Sequence, residues 1–213
     1  MDSLNRHTDY GQKSLSETHL STDPLQNFAI WLKEAEAEGL YEPNAFVLGT
    51  MGSNGGPNAR TVLLKGIVDG DFFFASNYSS RKAQEIEAVG KVSMVFGWYA
   101  MHRQVLVQGL VRKSTPEQSH DYFQSRPYDS QVASMISEQS QPIESRQVLD
   151  ERFSEALASA NGEVIPTPTN WGGYLITPLR IEFWQGRTSR MHDRIEFSRA
   201  AANQEWQIQR LQP

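Results

Sequence analysis

Short runs of apolar and β-branched residues, each followed by a turn, fill the chain between residues 45 and 112, and they limit its possible folds most strongly. The first two runs, residues 45–51 and 60–68, are joined by Ser53-Asn54-Gly55-Gly56-Pro57. Such runs at short spacing predict antiparallel strands linked by hairpins. We predict further strands at residues 72–75, 92–99, 104–112, 173–184, 194–198 and 205–211.

Helices are predicted between these strands. Thr22-Asp23-Pro24 combines a capping side chain with a proline in the first turn, and helical spacing then continues to Gly39. A short helix is predicted at residues 81–89, and a helical region, interrupted at Pro127, from residue 115 to about residue 161. Hairpin-linked strands with inserted helices indicate an α+β protein built on an antiparallel barrel. We predict a single domain at residues 22–213, preceded by a flexible tail at residues 1–21, which are polar and without periodicity.

The composition excludes several classes of protein. The formal net charge of −5 over 213 residues argues against a nucleic-acid-binding protein that works through bulk positive charge. Cysteine is absent, so disulfides, thiolate nucleophiles and cysteine-ligated metal sites are impossible. No run is apolar enough for a signal peptide or a membrane span, which predicts a soluble, cytoplasmic protein.

Arg190-Met191-His192-Asp193-Arg194 is a dense group of cations near the end of the chain. If the preceding strand continues through it, Arg190, His192 and Arg194 lie on one face, because residues two apart share a face. Two guanidiniums and an imidazole so close together repel each other unless an anion or solvent screens them. Taken alone, the segment fits an anion site and a solvated edge strand equally well.

Two other segments also indicate anion binding. Arg81 and Lys82 follow Ser80 in the first turn of a predicted helix, where the helix dipole disfavours cations unless an anion is bound. Arg60 and Lys65 stand at the two ends of one predicted strand. They are an odd number of residues apart, so we expect them to face opposite sides of the sheet.

Polar and aromatic side chains add to these signals. Tyr122, Arg126 and Ser130 are spaced four apart and suit a phosphate monoester, if the break at Pro127 leaves them on one face. Side chains that suit a flat heteroaromatic ring are Gln104, Gln139 and Trp184. The histidines show no metal-like spacing, and we predict no metal site. These patterns together favour a barrel that holds a phosphorylated cofactor and a phosphorylated substrate.

A series of short motifs runs in order from Asp23 to the C-terminus. The motifs are Arg60-Thr61-Val62-Leu63-Leu64-Lys65, Ser80-Arg81-Lys82, Arg103-Gln104-Val105, Ser125-Arg126-Pro127 with Ser130-Gln131, Gln139-Ser140, Trp171-Gly172-Gly173, Ile181-Glu182-Phe183-Trp184-Gln185-Gly186 and Arg190-Met191-His192-Asp193-Arg194. Each is weak alone, but together they resemble the pyridoxamine 5′-phosphate oxidase family. The resemblance covers nearly the whole chain.

This resemblance implies a Greek-key split barrel with peripheral helices, and a homodimer that holds FMN at the subunit interface. It also implies oxidation of pyridoxine 5′-phosphate or pyridoxamine 5′-phosphate to pyridoxal 5′-phosphate, with O2 as acceptor and hydrogen peroxide as product. The flavin carries out the redox chemistry, while the protein holds the two reactants together.

The resemblance further assigns roles to individual residues. The FMN phosphate is expected to meet Arg60, Arg81 and Lys82. The other expected FMN contacts are Thr61, Val62, Leu63, Leu64, Lys65, Ala75, Ser76, Gln104, Gln139, Ser140, Trp184 and Arg194. The substrate phosphate is expected to meet Lys65, Tyr122, Arg126 and Ser130. Over the substrate ring lie the catalytic pair, Arg190 and His192.

The chain departs from the family's pattern at a few positions. Tyr10 fits a residue that covers the bound substrate, whereas His7 stands where an arginine is expected. Tyr128 occupies a position that is often basic in the family, and Met191 replaces a usual leucine. These differences affect the lid over the substrate more than the reaction.

Two alternatives stay open. Enzymes of phenazine biosynthesis resemble this family and oxidise a tricyclic intermediate, but they have no need of the substrate-phosphate set named above. A non-catalytic protein that binds flavin or pyridoxal phosphate is the second alternative. The presence of both Arg190 and His192 argues against it.

Overall fold

The computed structural model describes residues 9–213. Within that range the strands are β1 (Ala45–Met51), β2 (Pro57–Leu63), β3 (Gly66–Val68), β4 (Asp71–Asn77), β5 (Lys91–Trp98), β6 (Arg103–Lys113), β7 (Trp171–Gln185), β8 (Asp193–Ser198) and β9 (Gln207–Leu211). The helices are α1 (Pro24–Ala37), α2 (Arg81–Val89), α3 (Pro116–Gln124), α4 (Tyr128–Ile136) and α5 (Arg146–Ala160).

The strands form one antiparallel sheet that divides at β7. Its main path is β2-β1-β5-β6-β7-β4-β3, and β8 and β9 extend from β7 beside this path. Strand β7 pairs with β6 along one edge; on its other edge, residues 171–176 pair with β4 and residues 180–185 pair with β8. A sheet that forks along one long strand is a split barrel, so the predicted α+β antiparallel architecture is confirmed.

Helix α1 closes one end of the barrel. Asp23 caps its N-terminus by accepting a hydrogen bond from the Leu25 N–H at 2.9 Å. The ring of Phe28 on this helix lies 5.1 Å from the ring of Phe72 and 4.8 Å from the ring of Phe96. All three rings are fully buried, so this aromatic packing attaches the helix to the barrel.

Two predicted elements are divided in the structure. The strand predicted at residues 60–68 is two strands, β2 and β3, with Leu64 and Lys65 between them. The helical region predicted from residue 115 is three helices, and residues 137–145 between α4 and α5 are not helical. Both interruptions place residues of the predicted site in loops.

Part of the predicted N-terminal tail lies against the barrel. Leu15 is buried, and its N–H donates to the Asp193 carboxylate at 2.9 Å. Glu17 pairs with Arg210 of β9 at 2.8 Å. Residues 1–8, including His7, lie outside the described residues, so the flexibility of the tail and the domain boundary at residue 22 stay predictions.

None of the helices within residues 9–213 is long and apolar enough to span a membrane. The cytoplasmic location stays a prediction.

Candidate active site

A cleft of about 670 Å³ lies between strands β2 and β4 and helices α2, α3 and α4. It brings together most of the predicted site residues: Arg60, Thr61, Val62, Leu63, Lys65, Ala75, Ser76, Lys82, Tyr122, Arg126, Ser130 and Gln139. Arg81 and Ser140 line a smaller cavity of about 400 Å³, which shares Arg60 and Lys82 with the cleft. Leu64 differs from its neighbours because its side chain is buried in the barrel core.

Arg60 and Lys65 both line the cleft, although the strand pattern predicts that they face opposite sides of the sheet. The cleft is also lined by the consecutive residues 60–63 of β2, and neighbouring strand residues point to opposite faces, so residues from both faces reach it. Strand β2 ends at Leu63, and the Lys65 N–H donates to the Phe73 carbonyl oxygen at 2.8 Å. The opposite orientation of the two side chains therefore stays a prediction.

The N-terminus of α2 forms one end of the cleft. The Lys82 ammonium donates to the hydroxyls of Ser76 at 3.0 Å and Ser80 at 3.3 Å, and it also donates to the Gln139 amide oxygen. The Arg81 N–H donates to the Ser140 hydroxyl at 3.3 Å. Burial and the neighbouring Arg60 lower the pKa of Lys82 to about 8. This end of the cleft therefore holds concentrated positive charge, which an anion would stabilise.

A buried carboxylate holds Arg60 at this end. The Arg60 guanidinium donates to Glu85 at 3.0 Å, to the Leu48 carbonyl oxygen at 3.3 Å and to the Thr50 hydroxyl. Glu85 is not among the predicted site residues. The available signal was its position on α2 between Ala83 and Ile86, because an acid there interrupts an otherwise buried helix face.

The other end of the cleft is formed by α3, α4 and β7. The Arg126 guanidinium donates to the Ser134 hydroxyl at 2.7 Å and lies 4.8 Å from the ring of Trp171. The Tyr122 ring stacks on Trp171, with the ring planes 12° apart and the centroids separated by 6.1 Å. Burial lowers the pKa of Arg126 from its ordinary value. Among residues 9–213, no carboxylate forms an ion pair with Arg126.

The remaining predicted site residues form a second group, which we call the strand-face cluster: Gln104, Trp184, Arg190, His192 and Arg194. Gln104 lies opposite Trp184 in the β6–β7 register, and Trp184 lies opposite Arg194 in the β7–β8 register. The His192 and Trp184 rings are 4.7 Å apart. None of the five lines the cleft. A single chain therefore presents the predicted site as two separate halves.

Arg194 and His192 are held in defined orientations within this cluster. The Arg194 guanidinium donates twice to the buried Glu182 carboxylate, at 2.7 and 3.0 Å, and once to the Gln212 carbonyl oxygen at 3.1 Å. The His192 Nδ1 accepts a hydrogen bond from the Arg187 N–H at 3.1 Å. Burial and the nearby Arg190 lower the pKa of His192. The imidazole is therefore favoured in its neutral form, with its proton on Nε2.

Arg190 does not share a strand face with His192 and Arg194, so that prediction is wrong. Residues Thr188–Arg190 form a short 3-10 turn, and β8 begins only at Asp193. Ser189 and Arg190 have positive φ angles of 55° and 61°, which break the extended alternation. The Arg190 side chain is exposed at this turn.

Tyr10 and His102 lie beside the strand-face cluster. The Tyr10 ring is 4.6 Å from the His102 ring and 5.5 Å from the His192 ring. The backbone of this N-terminal segment is attached to the turn after β7, because the Thr188 N–H donates to the Gly11 carbonyl oxygen at 3.2 Å. His102 carried no sequence signal, since the pairing of β6 with β7 brings it to the end of β7, where its carbonyl oxygen accepts a hydrogen bond from the Gly186 N–H at 2.8 Å.

Known protein families match both parts of the chain that build these half-sites. Residues 32–160 match the model described as pyridoxamine 5′-phosphate oxidase. Residues 171–213 match the model described as the pyridoxine 5′-phosphate oxidase C-terminal dimerisation region. The first match covers the cleft except Trp171, and the second covers all of the strand-face cluster except Gln104.

Individual proteins agree with these family matches. A pyridoxine/pyridoxamine 5′-phosphate oxidase of Bacteroides thetaiotaomicron is 43% identical over 205 residues, which are 96% of this chain and 96% of the relative. One from Leptospira biflexa is 42% identical over 212 residues, covering 100% of this chain and 99% of the relative.

Solved structures share the fold. PhzG from Burkholderia lata 383, in complex with tetrahydrophenazine-1-carboxylic acid, has a TM-score of 0.89 at 25% identity and covers 96% of this chain and 100% of its own. A pyridoxamine 5′-phosphate oxidase-related, FMN-binding protein from Nostoc punctiforme has a TM-score of 0.73 at 17% identity and covers 91% and 100%. From the two family matches and the identity with its relatives along almost its whole length, the chain belongs to the pyridoxamine 5′-phosphate oxidase family.

Proposed function

We propose that this protein is an FMN-dependent oxidase that converts pyridoxine 5′-phosphate and pyridoxamine 5′-phosphate to pyridoxal 5′-phosphate, with O2 as the electron acceptor and hydrogen peroxide as product. One observation carries the proposal: a single cleft has a group of cations at each end. Two phosphorylated molecules, a cofactor and a substrate, match this arrangement. The strong identity with oxidases that carry this name supports the same choice.

The α2 end of the cleft fits the phosphate of FMN. Arg60, Arg81 and Lys82 supply positive charge there, and the hydroxyls of Ser76 and Ser140 add hydrogen-bonding groups. A phosphate monoester carries between one and two negative charges near neutral pH, so it offsets the repulsion that lowers the pKa of Lys82. FMN, when bound, supplies the redox chemistry, which is oxidation of the substrate at C4′ and reduction of O2.

The α3–α4 end of the cleft fits the phosphate of the substrate. Arg126 is partly buried, and Ser134 and the Trp171 ring hold its guanidinium. Tyr122 and Ser130 add hydroxyl groups, and Lys65 adds a second cation. Charge-assisted hydrogen bonds from such a set favour a phosphate over a neutral group. A tricyclic phenazine precursor would leave these cations without an anionic partner.

Arg190 and His192 are proposed to act on the substrate ring. The neutral His192 can donate a hydrogen bond from Nε2, because its Nδ1 already accepts the Arg187 N–H. The exposed Arg190 guanidinium can stabilise negative charge that develops on the substrate oxygen. Neither residue needs to act as a strong acid or base, since both roles are orientation and charge stabilisation.

A homodimer is proposed to join the two halves of the site. The strand-face cluster and the cleft do not meet within one chain, so each cleft needs the cluster of a partner subunit. Exposed apolar side chains on the outer side of the sheet and α2, Val47, Met51, Val89 and Leu110, offer a surface for the partner. Gln104, Trp184 and Arg194 of that partner are then available to the flavin.

Anaerobic mixing tests the proposal. The FMN-loaded protein is mixed with pyridoxine 5′-phosphate without oxygen, and air is then admitted while the flavin absorbance and pyridoxal phosphate are recorded. We expect the absorbance to bleach and then return as product forms. If FMN binds but does not bleach, the assigned substrate is wrong, and a phenazine precursor in the same assay tests the alternative that PhzG represents.

A further inference from the structure

Glu85 is a buried carboxylate that no step of the proposed reaction uses. It lies on the second turn of α2, and 6% of its surface is exposed. It lines neither the cleft nor the smaller cavity beside it, so it does not reach the positions proposed for the ligands. A buried charge is costly unless close partners compensate it. Its contacts therefore indicate its role.

Within residues 9–213, the side-chain hydrogen bonds of Glu85 all connect α2 to the hairpin formed by β1 and β2. Its carboxylate accepts hydrogen bonds from the Thr50 hydroxyl on β1, from the Asn58 amide at 2.7 Å and from Arg60 at 3.0 Å on β2. Burial opposes the charged form, but the hydrogen bonds from Thr50 and Arg60 still hold the pKa of Glu85 below its ordinary value. The carboxylate is therefore ionised at neutral pH and connects two separate elements.

This connection restricts the Arg60 guanidinium. Three of its five N–H groups are used by Glu85, Thr50 and the Leu48 carbonyl oxygen, so two remain for a ligand. Arg60 lines the cleft and the smaller cavity, and so does Lys82 on the first turn of α2. The distance between these two cations depends on how α2 is attached to β2.

We propose that Glu85 is a positioning residue for the flavin phosphate, which holds Arg60 at a defined place relative to Arg81 and Lys82. The inference rests on the proposed function, because it assumes that the FMN phosphate binds at this end of the cleft. The carboxylate does not touch the phosphate. It acts through Arg60, by keeping two N–H donors directed to the ligand before the ligand binds.

The sign of the effect separates positioning from simple electrostatics. Removing one negative charge near three cations, without any change of geometry, strengthens the attraction for an anion. Loss of positioning weakens it, because Arg60 is then free to adopt orientations that do not meet the phosphate. Glu85→Gln keeps the shape of the side chain but places an amide N–H against donors of Arg60, Thr50 or Asn58.

The experiment is a titration of the FMN-free protein with FMN and with riboflavin, which lacks the phosphate, followed by flavin fluorescence. For Glu85→Gln we expect about tenfold weaker binding of FMN, the effect of disturbing one charge-assisted hydrogen bond. Binding of riboflavin should stay unchanged. Glu87→Gln is the matched control, because Glu87 lies on the same helix and, within residues 9–213, forms an ion pair only with the exposed Lys113, at 3.4 Å. It should bind both flavins as the unmodified protein does.

A second variant covers the case in which Glu85→Gln does not fold. Thr50→Val removes the hydroxyl that bridges Arg60 and Glu85 but keeps the charge, and we expect a smaller loss of FMN affinity in the same direction. In the Arg60→Met background, Glu85→Gln should cause no additional loss, since its effect passes through Arg60.

Two results would overturn the inference while leaving the proposed function intact. One is FMN binding by Glu85→Gln and Thr50→Val that equals or exceeds that of the unmodified protein. The other is an equal loss of FMN and riboflavin affinity, which indicates a merely structural role. If the unmodified protein does not bind FMN, the proposed function fails, and the inference fails with it.

Discussion

The cations of the cleft and the cations of the C-terminal strands have different partners. In β7–β9, Arg194 pairs with Glu182 at 2.7 Å, and Arg210 pairs with Asp193 at 2.6 Å. In the cleft, Lys82 and Arg126 have hydroxyl, amide and aromatic neighbours, and no carboxylate among residues 9–213 forms an ion pair with either of them. Cations without an internal counter-ion need an anionic ligand, whereas paired cations are already stabilised by the fold.

Arg60 belongs to both groups, because it pairs with a carboxylate and also lines the cleft. Glu85 fixes one side of its guanidinium, while the other donors remain available at the cleft. A carboxylate near a candidate anion site therefore does not exclude anion binding. It can instead hold the binding group in place.

The largest effect is expected for Arg190→Met. We expect turnover to fall by about 100-fold, the size of effect found when one group that stabilises developing charge is removed. FMN affinity should change much less, because Arg190 is proposed to act on the substrate ring and is not among the proposed FMN contacts. Steady-state kinetics and a flavin titration on the same preparation measure the two quantities. An equal loss of both would contradict the proposed role.

A substitution in the cleft should act on binding and not on folding. For Arg126→Met, we expect the KM for pyridoxine 5′-phosphate to rise by about 10-fold to 100-fold, because a charged contact to the phosphate is lost. The free energy of unfolding of the ligand-free protein should not fall, since burial of an unpaired guanidinium is unfavourable. A large loss of stability with an unchanged KM would show that Arg126 is structural.

Mixing the two variants tests whether the halves of the site come from different subunits. Dimers that contain one Arg190→Met chain and one Arg126→Met chain have one site with both defects and one site with neither. After subunit exchange in an equal mixture, about a quarter of all sites should be intact. At substrate concentrations below the KM of the unmodified protein, activity of the mixture should therefore exceed the activity of either variant alone. No recovery after proven exchange would place both halves in one subunit.

A substitution among the paired charges should act mainly on folding. Glu182→Gln removes the charge of a carboxylate that is 3% exposed and leaves Arg194 with an amide in its place. We expect the free energy of unfolding to fall by about 2 kcal/mol, because Arg194 is partly exposed and solvent compensates part of the loss. Denaturant unfolding measures this value, with Glu87→Gln as the exposed control. An unchanged free energy of unfolding would mean that the paired charges of β7–β9 contribute no more to folding than the unpaired cations of the cleft.

The smallest expected effect is the change of FMN affinity with pH. Lys82 has a pKa of about 8 in the folded protein, so FMN affinity should decrease as pH rises above this value and the positive charge is lost. Lys82→Met should remove this decrease. Flavin titrations between pH 7 and about 9.5 measure it.

Stability of the ligand-free protein should show the opposite dependence. The unfolded chain keeps the Lys82 proton up to about pH 10.5, whereas the folded protein releases it near pH 8. Between these values the unfolded state binds more protons, so the free energy of unfolding increases with pH. A decrease that depends on Lys82 would contradict the assigned pKa.

Local sequence signals predicted most of the elements. The helix start at Asp23-Pro24, the short helix α2 and strand β1 depend on neighbours within a few residues, and the structure has them at the predicted places. Local patterns also indicated Arg60, Arg81 and Lys82, whereas most other candidate site residues came from the order of the family motifs, and the roles of all of them stay predictions. The break between β2 and β3 was missed because the end of β2 depends on pairing with β1, which the pattern of the strand itself does not reveal.

Contacts between residues far apart in the sequence decided the features that local patterns did not predict. His102 lies beside Tyr10, and Glu85 meets Arg60 from 25 residues away, only because separate elements pack together. The sequence by itself determined the α+β class, the strands and the identity of the cations, since these depend on periodicity, turn chemistry and motif order. Only the tertiary structure decided which cations pair with a carboxylate and which do not, because charge pairing depends on distances between strands and helices that no local pattern specifies. The tertiary structure also decided that the predicted site is divided into two halves.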